Sequence, residues 1–579
     1  MAGAISAGAY TAGAIDFLIE ALDDYTTEKA RPGWTGPTHD VFVPVIGGAS
    51  AGGMTAGLTA LSLFRELSHV RPGEPPPKPE ENRLYSSWVD DISMNRLLEV
   101  TDLSRGREMN GVMSALCCDV LDEILDDAFE LTKQERSRPW VGGPHGDALK
   151  VILTVSNLRG VPYAFRLLGD AGAAYGMLNH ADYVEFDVSP GSGGTSHVDP
   201  LDLANAPSSF KAACLATGAF PIGLAPRLLT QRYGAYAHGH RVVYRDKTGQ
   251  FHPIPPEKCL SEDADYTFVA VDGGMIDNEP FELVRRALSG GPAHSNERAG
   301  VDATKAVLLI DPFPNTPKLP ALRKLPNGQP DRSLLGTLKT LLPTLVGQAR
   351  FKPDELAPIL DENVYSRFVI APSRNEKGSD LAIACGALGG FGGFLHHSFR
   401  RHDYLLGRRN AQAFLRWTFG LPETNPLFEE FDASRRPDWY VTGPKKASDG
   451  GNGERQLEIK SFAVSDEPGS PEEKGLPIIP LTERMKAPIE IEDADRPRPE
   501  QVDLDQLRLL IDRRAGHVLQ TLADRDLAPY LSRSPLVGWI LRKAAVAYGR
   551  RIVTNAGLEQ IKASLDQIKK AFSVIEGKR

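Results

Sequence analysis

Ser50 stands in the run Ile46-Gly47-Gly48-Ala49-Ser50-Ala51-Gly52-Gly53, and the pattern Gly-x-Ser-x-Gly occurs nowhere else in the chain. An apolar segment, Val41–Ile46, leads into it, and a helix-like segment, Met54–Leu67, leaves it. A serine on a sharp strand-to-helix turn is the arrangement of a nucleophile elbow. Such a turn is strained, and strand and helix pass close on either side of it. Gly48 and Gly52 bring no Cβ into that crowding. The following helix would aim its first amides, Ala51 among them, at an oxyanion formed by attack of Ser50. A serine also needs a base. The best candidate is Asp272, which ends the apolar run Phe268-Val269-Ala270-Val271 and is followed by Gly273-Gly274. If its strand runs parallel to that of Ser50, both residues lie at one carboxyl edge of a sheet, where ligands gather in open α/β folds. The competing reading is that Asp272 caps an Asp-Gly turn.

Taken together, Gly48-Ala49-Ser50-Ala51-Gly52 and Asp272-Gly273-Gly274 resemble the two halves of a patatin-like phospholipase, a family that uses a Ser-Asp dyad without histidine. Ala216-Thr217-Gly218-Ala219-Phe220-Pro221 with Pro226, Asn278-Glu279-Pro280, and Gly8-Ala9-Tyr10-Thr11-Ala12-Gly13 are similar to further segments of that family. Phe399-Arg400-Arg401-His402-Asp403-Tyr404 with Leu406-Gly407-Arg408 is similar to a larger bacterial branch of it. The resemblance spans roughly residues 1 to 420. It implies a three-layer α/β sandwich with a mostly parallel central sheet, and a lipid acyl hydrolase of the phospholipase A or lysophospholipase type. It implies no metal and no organic cofactor. The family's oxyanion loop reads Gly-Gly-Gly-x-Arg/Lys-Gly, and this chain offers Gly3-Ala4-Ile5-Ser6-Ala7-Gly8. The outer glycines match, the third glycine is replaced by Ile5, and the basic position is Ala7. Amides of Gly3, Ala4, Ile5 and Ser6 are the expected donors with Ala51, provided φ stays negative at the substituted positions. The family's strand before this loop has no counterpart, since only Met1 and Ala2 precede Gly3. The expectation from that gap is a chain whose natural start lies upstream.

Two alternatives stay open. His402 beside Asp403 could complete a Ser-His-Asp triad of the α/β-hydrolase type. The altered loop would also suit a lipid-binding or scaffold protein without catalysis. Other histidines offer less: His396 and His397 read as helix-surface residues, and His238 and His240 have no carboxylates at ligand spacing. The formal charge of −9 argues against general nucleic-acid binding. Five scattered cysteines with no Cys-x-x-Cys pair suggest neither a zinc site nor a disulfide framework. They fit a reducing compartment, hence a cytoplasmic protein, with peripheral contact to a membrane or lipid interface where its substrate lies. No apolar run reads as long enough to cross a bilayer.

Alternation of strand-like and helix-like segments continues to about residue 330, consistent with an α/β sheet. Helices are expected over Thr11–Leu22, Leu84–Val100, Val112–Leu131, Leu201–Leu215 and Phe281–Ser289, the last with Pro280 before it and Gly290 after it. Strands are expected over Leu149–Val155, Tyr163–Leu168, Thr267–Val271 and Ala306–Ile310, and a hairpin around Lys247-Thr248-Gly249. From there the pattern turns helical, with Leu334–Val346, Asp380–Leu388 and Phe399–Phe419. The division that follows is a catalytic domain over 1–330, a helical extension packed on it over 331–440, a polar linker over 441–500 and a C-terminal helical region over 501–579. From Leu541 onward nine Lys or Arg stand against three acids. That tail suits either an anionic lipid surface or a solvated helix face. Gly386–Phe394, rich in Gly and Phe, suits close helix packing or an acyl-chain wall.

Overall fold

The computed structural model describes residues 1–105, 111–130, 135–166, 174–191, 196–238, 241–247, 251–291, 296–314, 364–374, 382–444, 457–467, 469–525 and 535–573, with isolated positions between 329 and 344. The expected helix Leu334–Val346, the polar run Lys445–Arg455 and the boundary near residue 330 lie largely outside these residues.

Helix α1 (Gly8–Lys29) starts directly after a 3-10 turn at Ile5–Ala7 and is buried along most of its length. Strand β1 (Val45–Gly48) follows, and α2 (Ser50–Ser62) leaves it after one residue. Pro44 lies just outside β1, where a missing N–H costs no ladder bond. The stretch 83–105 is broken into short helical turns, with a π-helical turn at Ser86–Asp91 carrying Trp88. Next come β2 (Leu149–Arg166), β3 (Ala174–Val188), β4 (His197–Val198), α3 (Ser208–Thr217) and β5 (Arg227–Arg232). The hairpin β6 (Val242–Arg245) and β7 (Phe251–Ile254) forms where expected. Strand β8 (Asp265–Asp272), α4 (Phe281–Ser289), β9 (Val307–Ile310) and β10 (Arg367–Ile370) follow. Helix α5 (His397–Trp417) precedes β11 (Gly420–Pro422), β12 (Thr442–Pro444), β13 (Leu457–Ile459), β14 (Ser461–Ala463) and β15 (Glu472–Pro477). The chain ends in α6 (Leu504–Arg525) and α7 (Pro535–Ser573).

The molecule is thus a mixed α/β protein with a C-terminal helical region. The expectation of a mostly parallel sheet is corrected. Strand order is β4-β3-β2-β8-β5, with β1 beside β2. Within this sheet the β1–β2 and β3–β4 pairs are parallel and β2–β3, β2–β8 and β5–β8 are antiparallel, while β9 and β10 pair in parallel apart from it. The stretch between Arg166 and Ala174 is too short for a parallel crossover, so β2 and β3 close as a long antiparallel pair. At β1, helices cover both faces. A Cβ on Gly47 would meet Val284 of α4 at 2.8 Å, whereas one on Gly48 would meet Gly52 of α2 at 2.4 Å. Successive strand residues point to opposite faces, so α2 and α4 lie on opposite sides of β1.

The main core runs from Ala4 to Ile568 and joins segments that the sequence assigned to separate domains. Helices α1 and α5 meet backbone to backbone: a Cβ on Gly13 would stand 1.9 Å from the Tyr404 carbonyl oxygen, and one on Gly407 2.1 Å from that of Tyr10. The contact buries Arg408 between Asp16 and Glu20. Helix Ile5–Lys29 is, contrary to expectation, long and apolar enough to cross a bilayer, but 83% of its most apolar window is buried within the protein. The segment 441–500, expected as a polar linker, contributes strands β12 to β15, and its Val441, Phe462 and Leu476 join Leu421 and Phe428 in a second small core. Its few apolar residues are spaced to meet β11, which overall polarity conceals. In the C-terminal region, Ile561, Leu565 and Ile568 of α7 are buried, and Arg550 pairs with Asp512 of α6.

Candidate active site

Strand β2 positions both halves of the site. Its residues Lys150–Leu153 pair with β1, and Val155–Asn157 pair with β8 on the same side. Because β1 runs with β2 and β8 against it, their carboxyl ends point at each other across Thr154. Ser50 and Asp272 therefore meet end to end, not side by side on a parallel edge as the sequence suggested. The Thr154 hydroxyl donates to the Asp277 carbonyl at 3.2 Å, fastening the loop after β8 over this junction.

Ser50 Oγ donates to Asp272 Oδ2 at 2.7 Å, and both residues are buried. The other carboxylate oxygen, Oδ1, accepts the Gly274 amide at 2.7 Å. Ladder and loop bonds hold the Asp272 backbone: its N–H donates to Ala219 O at 2.9 Å, and its carbonyl accepts the Ser156 hydroxyl at 2.9 Å. Asp272 thus caps a turn with one carboxylate oxygen and accepts the Ser50 hydroxyl with the other. Ser50 has φ of +53°, left-handed backbone that costs a non-glycine residue about 1–2 kcal/mol. The Ser50 N–H donates to Thr217 Oγ1 at 3.1 Å, a fully buried hydroxyl at the end of α3. Thr217 sits in a segment noted for resemblance, but nothing in its local sequence shows that it reaches Ser50.

The glycines have spatial reasons. A Cβ on Gly52 would stand 2.4 Å from Ala2 O, and one on Gly3 would stand 2.9 Å from Ser50 Cβ. Gly8 lies against the six-membered ring of Trp88, and Gly273 against Thr154. A Cβ on Gly274 would stand 2.6 Å from Asn278 Oδ1. Residues 1–3 extend between β1 and β9, with the Met1 amine donating to Gly47 O at 2.9 Å and Ala2 N–H to Ile310 O at 3.0 Å.

The expected oxyanion donors divide. The Gly3 N–H is taken by Asn278 O at 3.1 Å, so Gly3 is removed from the set. Among the described residues, the amides of Ala4, Ile5, Ser6 and Ala51 donate to no protein acceptor. Ala4, Ser6 and Ala51 are buried, where an N–H is normally paired. The Ser6 side chain turns away to the 385–393 loop, donating to Gly390 O at 2.5 Å and accepting the Gly393 amide at 3.0 Å. Ile5 departs from expectation, with φ of +48° instead of a negative value. Room for its side chain comes from Gly390, whose missing Cβ would stand 3.0 Å from Ile5 Cδ1. Four non-glycine residues have positive φ among those described: Ile5, Ser50, Ile222 and Leu388. Ile5 and Ser50 line one cleft, and Ile222 flanks it. Strain gathered at one place points to function there.

That cleft opens between the elbow and the rings of Trp88, Phe220 and Phe391. Ser50 and Asp272 are its polar residues. The rest of the wall is apolar or glycine, including Ile5, Met54, Trp88, Leu116, Phe220 and Phe391. Within Gly386–Phe394, Phe391 and Phe394 line the cleft, while Gly392 and Gly393 serve close packing. Among the described residues, no histidine lines the cleft. His402 Nδ1 instead lies 2.7 Å from Asp403 Oδ1, and its ring stands edge-on to Phe572. Asp403 also accepts the Ala384 and Cys385 amides at 3.0 and 2.7 Å, so this pair braces a loop and does not serve Ser50. His397 pairs with Asp90 at an exposed site. Among the described residues, no group of three His, Cys, Asp or Glu side chains is placed to hold a metal.

No protein-family model matches the chain. It is similar to an uncharacterized protein, y4iI, of Sinorhizobium fredii (strain NBRC 101917 / NGR234). The two are 37% identical over 465 residues, which cover 72% of this chain and 63% of that protein. The chain thus spans under two thirds of that relative's length.

Proposed function

We propose that this protein is a serine acyl hydrolase of the patatin-like kind, cleaving carboxylic esters of lipids through a Ser50–Asp272 dyad. The observation that carries the reading is the 2.7 Å Ser50–Asp272 hydrogen bond at the floor of an otherwise apolar cleft. A buried serine in left-handed backbone, bonded to a buried carboxylate, has no evident folding purpose. Apolar walls suit an acyl chain.

The chemistry follows from the geometry. As Ser50 Oγ bonds to the ester carbonyl carbon, its proton passes to Asp272 Oδ2. The unpaired amides of Ala4, Ile5 and Ala51 and the N-terminus of α2 are the groups available to the oxyanion. Asp272 then returns the proton to the leaving alkoxide as the C–O bond breaks. Water attacks the acyl-serine, giving its proton to Asp272, and the collapse releases the carboxylic acid and restores Ser50. No metal or cofactor enters these steps. Gly274 N–H fixes one carboxylate oxygen, so the other stays directed at Ser50.

Hydrolysis of p-nitrophenyl butyrate by purified protein, compared with Ser50→Ala, tests the reading. Loss of about 10³-fold or more in kcat/KM is expected. Equal rates in the two proteins, or no turnover in either, would overturn it. In the latter case lipid binding without catalysis becomes the better account, and the positive φ of Ile5 in the donor loop is the feature that favours it.

A further inference from the structure

The cleft wall continues outward onto the surface. Ala115 N–H donates to Ile222 O at 2.7 Å and Leu116 N–H to Gly223 O at 3.0 Å, so segments 112–118 and 219–226 run side by side. Leu116, Phe220 and Leu224 of these segments line the cleft. Their neighbours face solvent: Ile222 is 77% exposed, Met113 48%, and Phe220 itself 39%. Neither segment contains a charged residue. Arg514, which donates to the carbonyls of Ser114 and Ala115, is paired with Asp102.

Ile222 is the informative member. Its φ is +69°, in the region that β-branched side chains adopt least readily. Glycine would relieve the backbone and remove an exposed apolar side chain, so folding and hydration both argue against isoleucine here. We infer that Met113, Phe220 and Ile222 form a docking rim that seats the cleft mouth on a zwitterionic phospholipid bilayer. The inference rests on the reading of the cleft as a lipid-ester site. A bilayer is the occupant that fits because the rim is continuous with the cleft, and a lipid must leave a membrane to enter it. An uncharged rim matches a zwitterionic surface, whose attraction is burial of apolar area and not counter-charge.

The test uses the full chain carrying Ser50→Ala, so that vesicles stay intact, and measures flotation with phosphatidylcholine vesicles. Binding that changes little with salt is expected. Ile222→Asp and Met113→Asp should each weaken partition about tenfold or more, since each removes the insertion of a large apolar side chain. Ile222→Leu should bind as the parent does. Ile222→Gly should weaken partition while raising Tm, opposite signs that a purely structural role would not give. Partition unaffected by residue 222 overturns the inference. So does binding that needs anionic lipid and vanishes in salt, which would point to the basic α7 instead. Vesicle binding that depends on residue 222, in a protein whose Ser50 supports no ester hydrolysis, leaves the docking rim standing and removes only the enzymatic reading.

Discussion

Thr217→Val isolates the hydrogen bond that holds the Ser50 turn. Valine keeps the shape and volume of threonine but cannot accept the Ser50 N–H bond of 3.1 Å. Ser50 and Thr217 are buried, so no water replaces the lost acceptor without rearrangement. An unpaired buried N–H costs about 1–3 kcal/mol. Ser50 also carries the left-handed backbone cost of about 1–2 kcal/mol, which this bond helps to offset. With the bond gone, rearranged elbows that pair the N–H elsewhere gain on the productive one by about 1.5–2 kcal/mol. That corresponds to a population shift of roughly 10–30-fold. Steady-state kinetics on p-nitrophenyl butyrate should show kcat reduced by about that factor with KM nearly unchanged, because the cleft wall is untouched. Thr217→Ser keeps the hydroxyl and should recover most of the rate. Calorimetry should show a lower Tm for the valine variant as well. The reasoning fails if Thr217→Val retains full kcat, or if Thr217→Ser is as impaired as Thr217→Val.

Other expected outcomes are as direct. Asp272→Asn should fold and bury normally but lose most esterase activity, and combining it with Ser50→Ala should cost little more than Ser50→Ala alone, as read by kcat/KM. His402→Gln should leave kcat/KM within a small factor; a loss as deep as that of Ser50→Ala in a folded protein would restore the triad. Gly52→Ala should destabilise by about 3 kcal/mol, because its Cβ meets the backbone oxygens of Ala2 and Met1 at 2.4 and 2.5 Å and neither can move aside. Gly176→Ala, with nothing within 4 Å, is the control in the same thermal melts. Burial holds the His39 imidazole down to about 4, below the ordinary 6.5, while its Nε2 donates to Ile478 O at 2.7 Å. The unfolded chain then takes up the proton first, so stability is constant above about pH 6.5 and falls by about 2–3 kcal/mol as pH drops to 4. His39→Gln should flatten that part of a urea-denaturation series, and an unchanged slope would exclude His39 as its source.

What the sequence revealed depended on how local the cause was. The helix Phe281–Ser289 matches its expected limits because Pro280 and Gly290 act within one residue of its ends, with Gly290 at φ of +86°. The hairpin at 242–254 was legible for the same reason. Strand β3 was missed because its residues alternate weakly and Gly176, Asn179 and His180 interrupt them. Strand β2 was read as two strands, since Asn157-Leu158-Arg159-Gly160 resembles a turn. In the fold it is a register shift between Ser156 and Val161, bridged by Asn157 side-chain bonds to the Arg159 and Gly160 amides. Thr217 and the docking rim were illegible because their partners lie about a hundred residues or more away in the chain.

Asp272 lies beside Ser50, as expected, through a geometry that was not expected. The sequence places it with Ser50 by assuming that their strands are parallel, yet β8 runs antiparallel to β2 while β1 runs parallel to it. What joins the two residues is the length of β2, an 18-residue strand that serves both partners in succession along one edge. Two strand ends that face each other leave a gap in the hydrogen-bond ladder, spanning only Thr154. Into that gap fall the two residues that follow or close each strand, with their backbones turned out of β geometry: Ser50 into left-handed φ and Asp272 into a capping turn. The gap also explains why the neighbouring positions are glycine, because Gly48, Gly52, Gly273 and Gly274 all have foreign atoms within 3 Å of where a Cβ would stand. A side-by-side parallel arrangement would need a crossover connection between the two strands. The end-on junction instead brings Oγ to 2.7 Å of the carboxylate with both groups buried. The Ser50–Asp272 contact therefore depends on sheet topology, and substitutions at Thr154 that loosen the junction should separate the two residues without touching either.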